Sequence, residues 1–304
     1  MEKVEWNEQY NIGVDIIDTA HANLFRIVGR LMEHMKDTRS SWHACEEGIK
    51  YLEGYTMKHF SEEEAFMRSI QYKGYGKHKK IHDNFRDKTL ISLRQELRMS
   101  NYSSASMERF LGVVLGWLTG HIMMEDQAIV GKVGVRKPCE FSPRISTIAK
   151  IVDHTLQDVF QVEAKLDNAN YKGQNIGKGF YSRMVYDIDN HGKVRLLLGI
   201  EEPLVFHSIG QILEAPLLKK DYIIDIAAQQ IFEMLFLHMS RVFRSETIYE
   251  PGSNDLLSRD EFRSDFMKGY PCSLLFGTRH GYFIFCFRTW KTKGHHRDPQ
   301  NLLR

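Results

Sequence analysis

The sequence predicts a multi-domain fold: an N-terminal all-α up-down four-helix bundle and a C-terminal α+β domain with antiparallel hairpins covered by helices. Three observations favour it. All seven prolines lie at or beyond Pro138, which leaves a long proline-free stretch permissive for helices. Apolar residues recur at helical spacing in the first half, and strand-like runs with hairpin signals occur in the second. The predicted domains are residues 1–135 and 145–304, joined by a linker at 136–144.

Four helices are predicted before the linker. Apolar residues follow one helix face at Leu24, Ile27, Val28, Leu31 and Met35. Comparable stretches run over 45–67, 78–97 and 107–130, and short polar or glycine-containing segments separate them at 37–40, 72–76 and 100–106. Helices with such short connections indicate an antiparallel bundle.

The second half changes pattern. Helices are predicted over 146–160, 203–213 and 221–243, and strands over 180–187, 194–200, 273–278 and 282–290. Hairpin turns are indicated at 189–192 and 279–281. The run from Tyr282 to Phe287 is apolar on both faces, which predicts a central, well-covered strand.

Composition excludes several classes of function. The formal net charge of the 304 residues is +2, too balanced to favour a nucleic-acid or membrane partner. No secretory signal is expected from the first residues, which lack an apolar stretch, and no membrane-spanning helix is expected, since no apolar run is long enough. The four cysteines are scattered without close pairs, so a metal site built from cysteines is not expected. Such cysteine usage favours a reducing, cytoplasmic setting.

Metal-binding residue types recur on all four predicted helices. His59 and Glu63 are four residues apart, as are His78 and His82, and this spacing places both side chains on one helix face. His121 and Asp126 are five apart, and His21 lies on the first helix. Imidazole suits iron, and a carboxylate can join two cations. These five histidines and two carboxylates form a sensible donor set for two iron ions.

The five-residue spacing of His121 and Asp126 needs an explanation. In a regular α-helix it turns the second side chain about 140° away from the first. Either the helix widens locally into a π-bulge, or the two side chains reach one site from opposite flanks. The sequence does not decide between these.

The first half, about residues 1–135, resembles bacterial hemerythrin. The resemblance rests on Trp6, on the run from Asn11 to His21 with Leu24, on His59-Phe60-Ser61-Glu62-Glu63-Glu64 with Met67, on His78-Lys79-Lys80-Ile81-His82 with Phe85, and on Trp117-Leu118-Thr119-Gly120-His121-Ile122 with Asp126. All seven donor positions of that family are filled, and the spacing of five is the family's own.

The resemblance implies a non-haem di-iron centre with an oxo or hydroxo bridge. By this resemblance, His78, His82 and His121 complete the set of ligands of one iron. His21 and His59 hold the other iron and leave one of its coordination positions open for dioxygen. Glu63 and Asp126 bridge the two irons.

Neighbours of the donors carry further expectations. The dioxygen pocket could be lined by Phe60, Trp117, Leu118 and Ile122, although plain bundle core is the simpler interpretation of these apolar residues. Asp18 is either a hydrogen-bond acceptor behind His21 or a helix N-terminal cap.

The second half is similar in its order of elements to the CheC/CheX/FliY chemotaxis group, and most like CheX. That family's phosphatase activity uses Glu-x-x-Asn on a long helix. The matching helix has Gln230 and Glu233 at that separation, with the wrong identities. No catalytic residue is therefore predicted, and a non-catalytic signalling or dimerisation module is expected.

The predicted function is an oxygen or redox sensor that signals through its C-terminal domain. The alternatives are an oxygen or iron carrier or store without signalling, and a di-iron oxidase. The expected partners are dioxygen, a signalling protein and a second copy of the chain bound through the C-terminal domain.

Overall fold

The structure, a computed structural model, describes residues 6–36, 42–132, 145–188, 192–212, 222–243 and 249–290. The predicted linker and the turn residues 189–191 lie outside this part of the chain. Two compact units are present. Unit 1 comprises residues 1–133 and 209–227, and unit 2 comprises residues 134–208 and 228–304.

Unit 1 contains the predicted helical bundle, which confirms the N-terminal fold class. Its helices are α1 (Asp15–Lys36), α2 (Trp42–Ser69), α3 (Tyr75–Asn84), α4 (Ile91–Met99), α5 (Ser104–His121) and α6 (Gln127–Ile129). A π-helical segment, Phe85–Leu90, joins α3 to α4, and a second, Ile122–Asp126, joins α5 to α6. The backbone stays helical through both joints, so four rods result.

Contacts between neighbouring rods close the bundle. Helix α1 contacts α2 and α5, α2 contacts α3, and α4 contacts α5. Fully buried side chains such as Leu24, Phe25, Phe110 and Leu115 fill the space between them. Ser103 caps α5 by accepting a hydrogen bond from the backbone N–H of Ser106. The rods therefore bring residues from four sequence segments to one interior.

Unit 2 has an antiparallel sheet with helices, which confirms the C-terminal fold class. Its strands are β1 (Ala164–Asn168), β2 (Gly179–Ile188), β3 (Gly192–Glu201), β4 (Tyr249–Leu257), β5 (Cys272–Thr278) and β6 (Gly281–Trp290). In the described residues their order is β1-β5-β6-β3-β2-β4. The predicted central strand is confirmed, because β6 pairs with both β5 and β3.

Helices α7 (Ile145–Phe160), α8 (Glu202–Ile212), α9 (Tyr222–Phe243) and α10 (Arg259–Phe266) complete the described elements. Phe262 of α10 packs in one core cluster with Tyr181, Leu197 and Ile284 of the sheet. A capping box between Ser258 and Glu261 begins α10. No helix in the described part of the chain has the length and apolar character needed to cross a lipid bilayer.

Three described elements of unit 2 were not predicted from the sequence. Strand β4 contains Pro251 and Gly252, which argue against a strand, but it lies at an edge of the sheet where a missing N–H is tolerated. Strand β1 is short and lies at the other edge. Helix α10 has only eight residues, too few for a clear apolar period.

Candidate metal centre

The seven side chains named from the sequence converge in the interior of unit 1. All seven are buried, with at most 2% of any residue exposed. They form two groups of potential metal donors. Within each group, the donor atoms lie within 4.8 Å of one another. The four-donor group contains Glu63, His78, His82 and His121, and the three-donor group contains His21, His59 and Asp126.

Helix geometry accounts for the paired donors. His78 and His82 are one turn apart on α3, and their Nε2 atoms lie 3.2 Å apart. His59 and Glu63 are one turn apart on α2, with 3.8 Å between Nε2 and Oε2. The Nε2 atom of His121 comes within 3.0 Å of Nε2 of His82, although the residues belong to different rods.

The open question about His121 and Asp126 has a structural answer. The helix between them is π-helical from Ile122 to Asp126. Because a π-turn holds more residues than an α-turn, the fifth residue comes back to the same face. Nε2 of His121 accordingly lies 3.0 Å from Oδ1 of Asp126. Of the two alternatives, local widening of the helix is the one observed.

The two carboxylates lie between the two donor groups. Asp126 directs Oδ2 to His21 at 3.2 Å and Oδ1 to His78 at 3.4 Å, which belong to different groups. Oε2 of Glu63 lies 3.2 Å from Nε2 of His82 and 3.8 Å from Nε2 of His59. Each carboxylate can therefore reach a cation held by either group.

The buried donors lack hydrogen bonds that would satisfy them. None of the carboxylate oxygens of Glu63 and Asp126 has a well-aligned hydrogen-bond partner, and the same is true of both ring nitrogens of His21. Buried polar atoms are almost always satisfied in proteins, and leaving one unsatisfied costs roughly 1–3 kcal/mol. A pair of cations would satisfy the four carboxylate oxygens and one nitrogen of His21, so the donor set fits a two-metal centre.

Electrostatics favour ionised carboxylates in this interior. Burial and the neighbouring Glu63 oppose ionisation of Asp126, but His121 and His21 lower its pKa to about 2. Burial likewise opposes ionisation of Glu63, yet the imidazoles of His121, His78 and His82 hold its pKa well below the ordinary value. Burial together with the nearby His21 lowers the pKa of His59 to about 3, which keeps that imidazole neutral. Ionised carboxylates and a neutral imidazole are the forms that bind metals.

Aromatic rings cover part of the centre. The ring of Phe60 stacks on His82 with centroids 3.9 Å apart, and Trp117 stacks on His121 at 4.4 Å. Leu118 and Ile122 are also buried. Both stacked rings lie against the four-donor group, and Phe60 also comes within 5.9 Å of His59. The assignment of these four residues to a dioxygen pocket stays a prediction.

Asp18 has its partners in the backbone. Its carboxylate accepts hydrogen bonds from the N–H groups of Ile12, Gly13 and Val14 at 2.6, 2.9 and 3.0 Å. The side chain thus ties the chain entering α1 to the first turn of that helix. Neither expected role is observed as stated, because Asp18 lies within α1 and binds the backbone before that helix, and Nδ1 of His21 has no hydrogen-bond partner.

One contact of the centre was missed from the sequence. Oε1 of Glu64 lies 3.3 Å from Nδ1 of His82. The signal was present, because Glu64 follows Phe60 by four residues and therefore shares its helix face. Nothing in the sequence showed which histidine that face would meet.

Comparison with known proteins addresses the helical half directly. Residues 12–133 match the family described as Hemerythrin HHE cation binding domain. A bacteriohemerythrin of Stenotrophomonas maltophilia (strain R551-3) is 31% identical over 134 residues, which span 44% of this chain and 83% of the relative. The chain belongs to the hemerythrin family.

Other members of the hemerythrin family show the same extent of match. A bacteriohemerythrin of Clostridium acetobutylicum is 29% identical over 127 residues, or 41% of this chain and 97% of the relative. The myohemerythrin of Theromyzon tessulatum is 29% identical over 132 residues, or 43% and 95%. The family match thus lies in the half of the chain that carries the donors.

Solved structures similar to the chain are chemotaxis proteins. CheX of Vibrio vulnificus has a TM-score of 0.36 and 13% identity, and the match covers 49% of this chain and all of that one. CheX of Desulfovibrio desulfuricans has a TM-score of 0.35 and 15% identity, with 48% and 99% covered. Similarity at this level does not bear on what unit 2 does.

Unit 2 offers no second metal centre in its described residues, where no further cluster of three potential donors occurs. The helix α9 carries Glu233, whose carboxylate lies 3.3 Å from Nδ2 of Asn254 on β4. Desolvation raises the pKa of Glu233. This contact joins the helix to the edge of the sheet.

Proposed function

We propose that unit 1 holds a non-haem di-iron centre and binds dioxygen there. The observation that carries this proposal is the position of two buried carboxylates within contact distance of two groups of imidazoles. The names of the hemerythrin relatives support iron and dioxygen over other metals and ligands. When bound, a reduced iron pair supplies an electron-rich metal that takes up dioxygen.

The residues divide the work of holding the centre. His78, His82 and His121 would hold one iron, and His21 and His59 would hold the other, while Glu63 and Asp126 would be shared between the two. The oxo or hydroxo bridge implied by the resemblance would belong to the bound centre. The three-donor group would supply fewer ligands, so the position for dioxygen would be at the iron held there. Buried aromatic and aliphatic side chains around the donors exclude bulk water, which protects a reduced metal from uncontrolled oxidation.

The test of this proposal is metal content measured together with the absorption spectrum, first reduced and then in air. We expect two irons per chain. We also expect the absorption spectrum to change in air and to return to that of the reduced protein when oxygen is removed. His59→Ala and His82→Ala should each lose the spectrum while remaining helical by circular dichroism. His34→Ala is the matched control, because His34 is an exposed histidine of α1. Wild-type spectra in both donor variants, or a purified protein without iron, would contradict the proposal.

We further propose that the whole chain is an oxygen or redox sensor, which needs unit 2 as its output. Unit 2 is a compact unit with its own sheet, and a simple carrier would not need it. Signalling requires that dioxygen bind two conformations with different affinity. Hydrogen exchange of the sheet peptides and the oligomeric state, measured with and without dioxygen, test this. Identical results would favour a carrier or store.

A di-iron oxidase is the less favoured alternative. Five imidazoles and two carboxylates contrast with the carboxylate-rich sites of ferritin-like di-iron proteins. Substrate turnover accompanied by rapid autoxidation would favour the oxidase alternative. Self-association through residues 145–304 remains a prediction that the same oligomer measurement tests. Binding to a signalling protein remains a prediction as well.

A further inference from the structure

Among the five clustered histidines, His82 differs at its remote ring nitrogen. Nδ1 of His82 lies 3.3 Å from Oε1 of Glu64. The Nδ1 atoms of the other four imidazoles are buried without a hydrogen-bond partner: those of His21, His59, His78 and His121. In the described part of the chain, His82 is therefore the one imidazole of the cluster whose remote nitrogen contacts a carboxylate.

Two side chains of α2 hold the His82 ring. Phe60 and Glu64 are four residues apart and share a face of that helix. Phe60 stacks on the imidazole with planes only 4° apart, which fixes the plane of the ring. Glu64 contacts its remote nitrogen, which fixes rotation within that plane. The opposite nitrogen, Nε2, then faces Glu63 at 3.2 Å and His121 at 3.0 Å.

The contact also selects a tautomer. A carboxylate accepts hydrogen bonds, so Nδ1 of His82 is the protonated nitrogen and Nε2 keeps its lone pair for a metal. Glu64 is 9% exposed, and its other oxygen lies 3.9 Å from the guanidinium of Arg68. A basic neighbour and partial access to water let this carboxylate keep its negative charge behind the imidazole.

We propose that Glu64 is a positioning residue that orients His82 for metal binding and, through its negative charge, favours the ferric state of the iron that His82 holds. The inference rests on the proposed di-iron function. A negative charge behind the imidazole increases the donor strength of the ring, and this stabilises the more highly charged metal. The midpoint potential is therefore more negative than it would be with a neutral partner.

The experiment compares three variants of the full iron-loaded chain. Glu64→Gln keeps a hydrogen-bond acceptor and removes the charge, whereas Glu64→Ala removes both. Glu62→Gln is the matched control, because Glu62 lies on the same helix, pairs with Lys58 at 3.6 Å and contacts no clustered histidine. The readouts are the midpoint potential by spectroelectrochemical titration, the iron affinity, and the ¹⁵N shifts of the histidine ring nitrogens.

Glu64→Gln should shift the midpoint potential to a more positive value with little loss of iron. Glu64→Ala should weaken iron binding by about 10- to 100-fold, the usual effect of removing a partner behind a metal ligand. Glu62→Gln should leave both quantities unchanged. If Glu64→Ala fails to fold, the potential of Glu64→Gln still decides the matter.

The outcomes separate this inference from the proposed function. A wild-type chain that binds iron, together with an unchanged potential in Glu64→Gln, would overturn the role of Glu64 alone. A wild-type chain that binds no iron would overturn the di-iron function. In that case the ¹⁵N spectrum of the metal-free chain still tests the orientation of His82, and a proton on Nε2 in place of Nδ1 would refute it.

Discussion

Nε2 of His121 lies 3.0 Å from Oδ1 of Asp126, although the two residues are five apart on one helical rod. The π-helical segment Ile122–Asp126 makes this possible, since an α-helix would direct the two side chains to different faces. The wider turn is thus a requirement of the donor set, which needs a carboxylate beside the last imidazole.

Replacing Asp126 with Asn should cost the chain iron while leaving its helices intact. The amide keeps the size of the side chain but removes the charge shared between the two donor groups. We expect about one iron per chain or less, measured by elemental analysis with circular dichroism as the check on folding. Asp83→Asn is the control, because Asp83 follows His82 directly but pairs with Lys79 and Arg86 near the surface. Full iron content in Asp126→Asn would show that the shared carboxylate is dispensable.

Replacing Asp18 with Ala should destabilise unit 1 without changing the absorption spectrum. Three backbone N–H groups lose their acceptor, and leaving such donors without a partner typically costs about 1–3 kcal/mol. Urea denaturation of the iron-loaded protein measures the loss. Asp15→Ala provides the comparison, because Asp15 is an exposed acid in the same turn. A changed spectrum in Asp18→Ala would instead assign that residue to the metal centre.

Replacing Trp117 with Ala should be among the more damaging single changes in the bundle. Its indole stacks between His121 at 4.4 Å and Phe85 at 3.9 Å and is 7% exposed. Truncating a buried Trp costs about 3–5 kcal/mol of the free energy of unfolding. Tyr51→Ala, at a 62% exposed site on α2, should stay within about 0.5 kcal/mol of wild type. Equal losses in the two variants would mean that the aromatic stack contributes nothing of its own.

Asp265 should make the stability of unit 2 depend on pH. Burial opposes its ionisation, but hydrogen bonding by Arg183 and the charges of Arg195 and Lys268 lower its pKa below the ordinary value of 3.8. A depressed folded-state pKa stabilises the fold above pH 3.8, and this contribution disappears as the pH falls through the folded-state pKa. Asp265→Asn should therefore cost about 2 kcal/mol at pH 7 and almost nothing in strong acid.

Hydrogen exchange of peptides from β2 and β3 at pH 7 measures the effect of Asp265→Asn, and urea denaturation at pH 7 and below pH 3 follows its pH dependence. Asp255→Asn is the control, since Asp255 also pairs with Arg183 but is 43% exposed, and should cost under about 1 kcal/mol. A cost of Asp265→Asn that persisted undiminished into strong acid would rule out the charge as its source.

The sequence predicted the helical rods and the donor residues because both depend on local spacing. His59/Glu63 and His78/His82 sit one turn apart, and that relationship holds in any regular helix. The spacing of five between His121 and Asp126 could be noticed but not interpreted, since the choice of a π-turn depends on what the side chains gain from the partners they meet. Those partners come from other rods.

Other features depended on tertiary contacts that a sequence does not display. The carboxylate of Glu64 could have met several histidines, and only the packing of α2 against α3 selects His82. Strand β4 looks unfavourable because of Pro251, and only its edge position in the sheet permits it.

The donors are divided unequally, four in one group and three in the other, and in the proposed di-iron centre this would separate metal retention from ligand exchange. A first equivalent of divalent ion should occupy the richer end, and a small incoming molecule should compete with solvent only at the poorer one. In the proposed di-iron centre, the chain would release and rebind a small ligand at the three-donor group while the four-donor group keeps its metal.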